Sequence, residues 1–266
     1  MADDRTEFER RPLPENQSEN FIRAGATACR VIIEMTPSSG AWNMAADEAL
    51  LESAVAGGAC TLRWYRWEAA TLSLGYFQSP ADAAGNPRLA ELPVVRRLSG
   101  GGAIVHHHEL TYSCTIPSWH ALALDPRSLY TVVHSRVIEV LRDFGFTASL
   151  RGERAPELGH EFLCFGRGDA FDVVMGPHKV LGSAQRRRKG AVLQHGSLIL
   201  RTSEWAPGFP GIFDCQGFAV GEADLMAQLA GGLAELLSPR WAPGAITENE
   251  RHRAQMLLAR SPAAAK

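Results

Sequence analysis

The sequence predicts an α+β domain built around a mixed or antiparallel β-sheet with flanking helices. Three observations carry that expectation. Strand-like runs crowd the middle of the chain, helical periodicity brackets them, and the two do not alternate in the strict βαβ rhythm of a doubly wound sheet. The 266 residues are 45% hydrophobic, enough for one substantial core. The expected division is a mobile N-terminal arm over residues 1–25, charged and poor in apolar side chains, then a single domain over 26–261 that turns helical from about residue 220.

The elements follow in order. "CRVIIEM" (29–35) reads as a buried strand. "SGAWNMAADEALLESAVAGG" then gives a helix, with Ser39 as its cap, Met44, Leu50 and Leu51 as core contacts and Gly57 as its stop. "CTLRWYRW" and "TLSLGYF" are two strand-like runs parted by a short polar turn. "LPVVRRL" and "GAIVHHH" are strands joined through Gly100, Gly101 and Gly102, and "ELTYSCTIP" is another. Residues 127–144 carry a helical stripe of Leu129, Val133, Val137, Val140, Leu141 and Phe144, stopped by Gly145. "AFDVVM", "HKVLGSAQRRR" and "AVLQHGSLIL" are three more strands, the last two a hairpin turning at Lys189-Gly190. Helices near 221–237 and 247–260 close the chain.

Charge and cysteine usage exclude several classes. The 27 basic and 29 acidic residues nearly balance, which argues against a general nucleic-acid binder. The five cysteines are dispersed, odd in number and without a CxxC pair, as expected for reduced thiols in a cytoplasmic protein. No apolar run is long enough to span a membrane, and no signal peptide is legible.

"VVRRLSGGGAIVHHHELTYSC" (94–114) concentrates chemistry. Three glycines between strands can be a sharp turn alone. Arg96 and Arg97 change the weighing: successive strand residues point to opposite faces, so one of them reaches over the surface that the glycines leave bare. Neither standard nucleotide-binding loop is present. His106, His107 and His108 alternate faces as well, so they cannot converge on one metal, and no metal site is expected. His106 is either a structural hydrogen-bonder or part of a cleft.

A second stretch, "HKVLGSAQRRRKGAVLQHGSLIL" (178–200), places Lys179 at the head of a strand that Gly182 and Ser183 interrupt, which suggests that something approaches the backbone there. His195-Gly196 repeats the device in the partner strand. Arg186, Arg187, Arg188 and Lys189 form a basic tip, either simply solvated or a dock for an acidic partner. Cys164 alone would be an inert buried thiol; ahead of a glycine-bearing turn it can instead present its sulfur at a cleft.

Together "NMAADEALL" (43–51), "RRLSGGGAIVHHHELTYS" (96–113), "CF" (164–165) and the 178–200 block resemble the lipoate–protein ligase and octanoyltransferase family, which shares its catalytic fold with biotin–protein ligase. The resemblance covers most of residues 30–200 in family order, and is closest to the cysteine-dependent octanoyltransferases of the LipM type. It implies a single catalytic domain that binds an octanoyl or lipoyl chain in a tunnel beside the glycine loop and joins it to a lysine of a carrier domain. Cys164 becomes the expected nucleophile, with Cys114 as the fallback, and Lys179 the expected donor to the thiolate and oxyanion. Arg96, Arg97, Ser99, Gly100, Gly101, Gly102, His106, Gly182, Ser183, Ala184, His195 and Gly196 become the expected substrate-binding set.

The donor implied is acyl carrier protein, the acceptors lipoyl domains of glycine cleavage H protein or dehydrogenase E2 subunits, with no cofactor required. Three alternatives stay open. One is an ATP- and Mg-dependent lipoate–protein ligase with a separate accessory subunit. Another is an octanoyl amidotransferase between lipoyl domains, and the third a non-enzymatic carrier-protein-binding paralogue.

Overall fold

The computed structural model describes residues 29–79, 81, 87–153 and 162–260. The arm expected over 1–25 lies outside them. The strands are β1 (Cys29–Ile33), β2 (Thr61–Tyr65), β3 (Thr71–Leu74), β4 (Val94–Arg96), β5 (Ile104–His106), β6 (Glu109–Ile116), β7 (Ser149–Leu150), β8 (Val173–Met175), β9 (His178–Arg188), β10 (Ala191–Ile199) and β11 (Trp241–Pro243). The helices are α1 (Gly40–Val55), α2 (Ala121–Leu124), α3 (Pro126–Asp143), α4 (Ile212–Gln216), α5 (Glu222–Leu237) and α6 (Glu248–Arg260).

One eight-stranded sheet runs β11-β1-β2-β6-β10-β9-β8-β7. It is mixed, as expected: β1 pairs in parallel with β11 and β2, and the remaining pairs are antiparallel. Period-2 alternation sorts its faces. Leu62, Trp64, Tyr112, Cys114, Val192 and Leu198 face a core closed by α3 and α5. Leu193 and Ala191 face the other way, against Leu51 and Ala54 of α1. β6 is buried at all eight positions because both faces are covered.

The local signals work as read. Ser39 Oγ accepts the Trp42 N–H at the start of α1. Lys189 (φ 49) and Gly190 (φ 83) both adopt the left-handed conformation that a two-residue hairpin needs, so β9 and β10 pair directly. Thr247 and Glu250 form a reciprocal capping box at the start of α6.

Two expectations change. The segment beyond residue 220 is not purely helical: β11 pairs with β1 and extends the sheet. Three exposed residues ending in proline carry no alternation that could announce a strand. The two runs flanking the glycines also do not pair with each other. β4 and β5 lie on either side of β3 in a separate sheet ordered β4-β3-β5, so the glycine loop crosses over the end of β3. Among the described residues, no helix is long and apolar enough to cross a membrane.

Candidate active site

Cys164 opens a one-turn 3₁₀ helix, Cys164–Gly166. Its N–H donates to the Ala103 carbonyl at 2.7 Å, and the Ala103 N–H donates to the Phe162 carbonyl at 3.0 Å. The cysteine segment is thus stitched alongside the chain that leaves the glycine loop. Gly102 permits the approach: a Cβ there would stand 3.0 Å from the Cys164 Cα and N. Gly101 adopts φ 93, and a Cβ there would stand 3.7 Å from Arg97 Nη2 and 4.0 Å from Cys164 Sγ.

Lys179 Nζ lies 3.8 Å from Cys164 Sγ and 3.4 Å from the Cys164 carbonyl oxygen. Its ammonium also caps the Phe165 ring, 5.3 Å from the centroid. Asp172 holds it from the other side, with Oδ1 at 2.9 Å. Burial holds the Asp172 carboxyl above its ordinary value, with Lys179 opposing. Gly182 makes room for the lysine: a Cβ there would collide with Lys179 Cε and stand 2.8 Å from Nζ. What approaches the Gly182 backbone is therefore the site's own lysine.

Cys164, Phe165 and Gly182 border an open cleft of about 480 Å³, a volume that includes the solvent at its mouth. Gly100, Gly101, His106, Gly182, Ser183, Ala184, His195 and Gly196 all line it, as does Arg97. Arg97 is buried and donates to the Ser73 and Gly102 carbonyls, both at 2.7 Å, which fixes the loop. Burial brings its guanidinium down to about 10, against the opposing pull of Cys164.

Two buried networks hold the imidazoles. His195 Nε2 meets Ser99 Oγ at 2.5 Å, and Nδ1 lies 3.5 Å from Asp47 Oδ2. Burial raises the Asp47 carboxyl, but His195, Arg63 and Ser113 outweigh it and hold the group below its ordinary value. His106 stacks on Trp67 at 3.8 Å and bonds Glu109 Oε1 and Ser73 Oγ at 2.7 and 2.6 Å. Burial lowers the His106 imidazole, with Glu109 opposing. His106 therefore both lines the cleft and serves as a structural hydrogen-bonder.

Three expected binding residues stand elsewhere. Arg96 points away from the cavity: its Nη1 spans the carbonyls of Gly75, Tyr76 and Gln78. Ser99 is buried behind His195, and Gly102 packs on the cysteine backbone. Cys114 is withdrawn as a nucleophile, since it is fully buried in the core on the opposite face and burial pushes its thiol far up. The basic tip is not simply solvated. Arg188 pairs with Glu52 at 3.2 Å, and Arg186 lies 4.9 Å from the Tyr76 ring centroid. Sequence reasoning missed Asp172, Asp47, Glu109, Met44 and Phe165. An acidic residue heading the "DVVM" run was the one visible hint of Asp172. Among the described residues, no group of three His, Cys, Asp or Glu could hold a metal ion.

The family model that matches the chain is the lipoyl protein ligase A/B catalytic domain, over residues 39–206. The octanoyltransferase LipM of Kyrpidia tusciae is 33% identical over 254 residues, taking in 84% of this chain and 92% of that protein. The octanoyltransferase LipM of Symbiobacterium thermophilum is 33% identical over 251 residues, 82% of this chain and 90% of that protein. In fold, the chain is similar to a solved structure from an archaeal lipoylation system, a bi-partite lipoate protein ligase and its E2 lipoyl domain from Thermoplasma acidophilum. There the TM-score is 0.66 at 23% identity, covering 88% of this chain and 93% of that one.

Proposed function

Because the chain belongs to the lipoyl protein ligase A/B catalytic-domain family, we propose that it is an octanoyltransferase. It moves an octanoyl or lipoyl group from acyl carrier protein to a lysine of a lipoyl domain, by way of a thioester on Cys164. The observation that carries this reading is the Cys164 sulfur, 3.8 Å from the Lys179 ammonium at the border of the cavity. The curated relatives named LipM octanoyltransferases support the acyl group chosen.

The Cys164 thiolate attacks the donor thioester carbonyl, and the carrier thiolate leaves as the tetrahedral adduct collapses. The acceptor lysine, as the free amine, then attacks the new thioester. An amide forms, the amine loses a proton, and the Cys164 thiolate departs. Lys179 faces the sulfur in both steps and can donate to the oxyanion that develops beside it. Arg97 holds the glycine loop against which the acyl chain lies. Exchange of a thioester for an amide runs downhill, so the reaction as proposed requires neither ATP nor a metal. The acceptors are lipoyl domains, on dehydrogenase E2 subunits or glycine cleavage H protein.

The test is intact-protein mass after mixing with octanoyl-acyl carrier protein. One added octanoyl group, released by hydroxylamine and absent from Cys164→Ala, is the expected result. Acylation only by an octanoylated lipoyl domain would make the enzyme an amidotransferase. Pyrophosphate release from ATP with free lipoate, and no acyl-enzyme, would make it a ligase.

A further inference from the structure

The turn after β3 is held far more firmly than its exposure warrants. Arg96 Nη1 donates to the carbonyls of Gly75 (3.1 Å), Tyr76 (3.1 Å) and Gln78 (2.6 Å). The Tyr76 N–H donates to the Ser99 carbonyl at 2.9 Å, and the Gln78 side chain accepts from the Gly75 N–H at 3.0 Å. At the tip of this braced turn Phe77 is 88% exposed and Tyr76 43%. Their rings meet edge to face with centroids 5.0 Å apart, and the Arg186 guanidinium lies over Tyr76. A single exposed aromatic is ordinary. An exposed phenylalanine on a turn braced by several hydrogen bonds gains the fold nothing and is pre-organised for a partner.

Its location says which partner. Gly75 packs so tightly on the glycine loop that a Cβ there would collide with the Gly101 carbonyl oxygen. Gln78 reaches the Phe162 carbonyl, two residues before Cys164, at 3.4 Å. The aromatic tip therefore belongs to the rim of the cavity. A donor that delivers its acyl group on a long flexible arm can dock at a distance from the sulfur. An acceptor that offers a lysine reaches only the length of that side chain, so its backbone must rest on the rim itself. Beside the rim Arg186 supplies the positive charge; Arg187, next along the strand, turns to the opposite face, where its Nη2 donates to the Ala123 carbonyl at 3.5 Å. Aromatic and arginine side chains of this kind are the usual centres of protein interfaces.

We propose that Tyr76, Phe77 and Arg186 form the docking surface for the acceptor lipoyl domain, which meets it with an apolar patch flanked by carboxylates. The proposal rests on the transfer reading above for the identity of the acceptor.

The experiment separates docking from chemistry. Binding of an unmodified E2 lipoyl domain is titrated by calorimetry against wild type, Phe77→Ser and Arg186→Glu, with thermal melting as the check on folding. At least a tenfold weakening in both variants is expected, with unchanged melting and with the Arg186→Glu effect shrinking as salt rises. In parallel, Cys164 acylation by octanoyl-acyl carrier protein and transfer of the octanoyl group to a short lysine peptide are timed. Both are expected to match wild type. Lipoyl-domain affinity within twofold of wild type in Phe77→Ser would overturn the proposal. So would a defect confined to acylation, which assigns the surface to the donor, or an equal loss with peptide and domain, which assigns the turn a structural role. If wild type forms no acyl-enzyme, the transfer reading fails, while the calorimetric result still decides the docking surface.

Discussion

Lys179 reaches Cys164 by crossing the bare backbone of Gly182, where any Cβ would collide with the lysine Cε. The bare backbone at residue 182 is therefore a condition for the contact between ammonium and sulfur. Gly182→Ala should push the lysine out of line while leaving the fold intact, because alanine in a strand is favoured over glycine by roughly 0.5–1 kcal/mol. The expected result is an unchanged or higher melting temperature with acylation slowed at least tenfold in single-turnover assays. A normal acylation rate would show that the lysine need not sit where it does.

Lys179→Met keeps the apolar stem and removes the donor. Loss of one oxyanion donor typically costs roughly 10²–10³ in rate. Acyl-enzyme formation, followed by mass spectrometry, is expected to slow by about that factor, with cysteine labelling still possible. Asp172→Asn should give a smaller decrease, since it leaves the ammonium in place without its 2.9 Å counter-charge.

Asp47 is the hub beneath His195. Its carboxylate accepts from Arg63 at 3.0 Å, Tyr65 at 3.0 Å and Ser113 at 2.8 Å, all buried. Removing one partner of a buried pair costs about 3–5 kcal/mol because the other charge is stranded. Asp47→Ala is expected to lose that order of stability in urea unfolding, whereas a surface change such as Phe77→Ser should not.

The Glu250 carboxylate gives a pH signature. Burial raises it, but two hydrogen bonds from Arg30 and two from Thr247 outweigh burial and bring it to about 2. A folded-state value below the ordinary 4.5 means the stabilisation is complete above that pH. It is lost as the pH falls toward 2. Glu250→Gln should therefore melt lower than wild type at neutral pH, and the gap should close progressively between pH 4.5 and 2. A gap independent of pH would remove the carboxylate's charge from the account.

The sheet was legible where strands are long and alternate, as in β6, β9 and β10, and where a turn has its own chemistry, as at Lys189-Gly190. It was not legible where pairing skips along the chain. β3, β4 and β5 are three or four residues each, and β3 meets its partners through segments distant in sequence. The site followed the same division. Arg97 could be anticipated because adjacent strand residues face opposite ways, although which arginine turned inward could not. Asp47 was hidden because its partners lie 16 and 66 residues away. Gly182 announced that something came close; only the fold identifies it as Lys179.

Residues 103 and 164 share a backbone ribbon, the Cys164 amide held by the Ala103 carbonyl and the Ala103 amide by Phe162. The Cys164 thiol and the wall of the cavity are consequently one mechanical part. If Cys164 carries the acyl group as proposed, breathing that frees the thiol also opens the floor beneath that chain. The two amides should exchange with deuterium in step and become protected together once the enzyme carries its load.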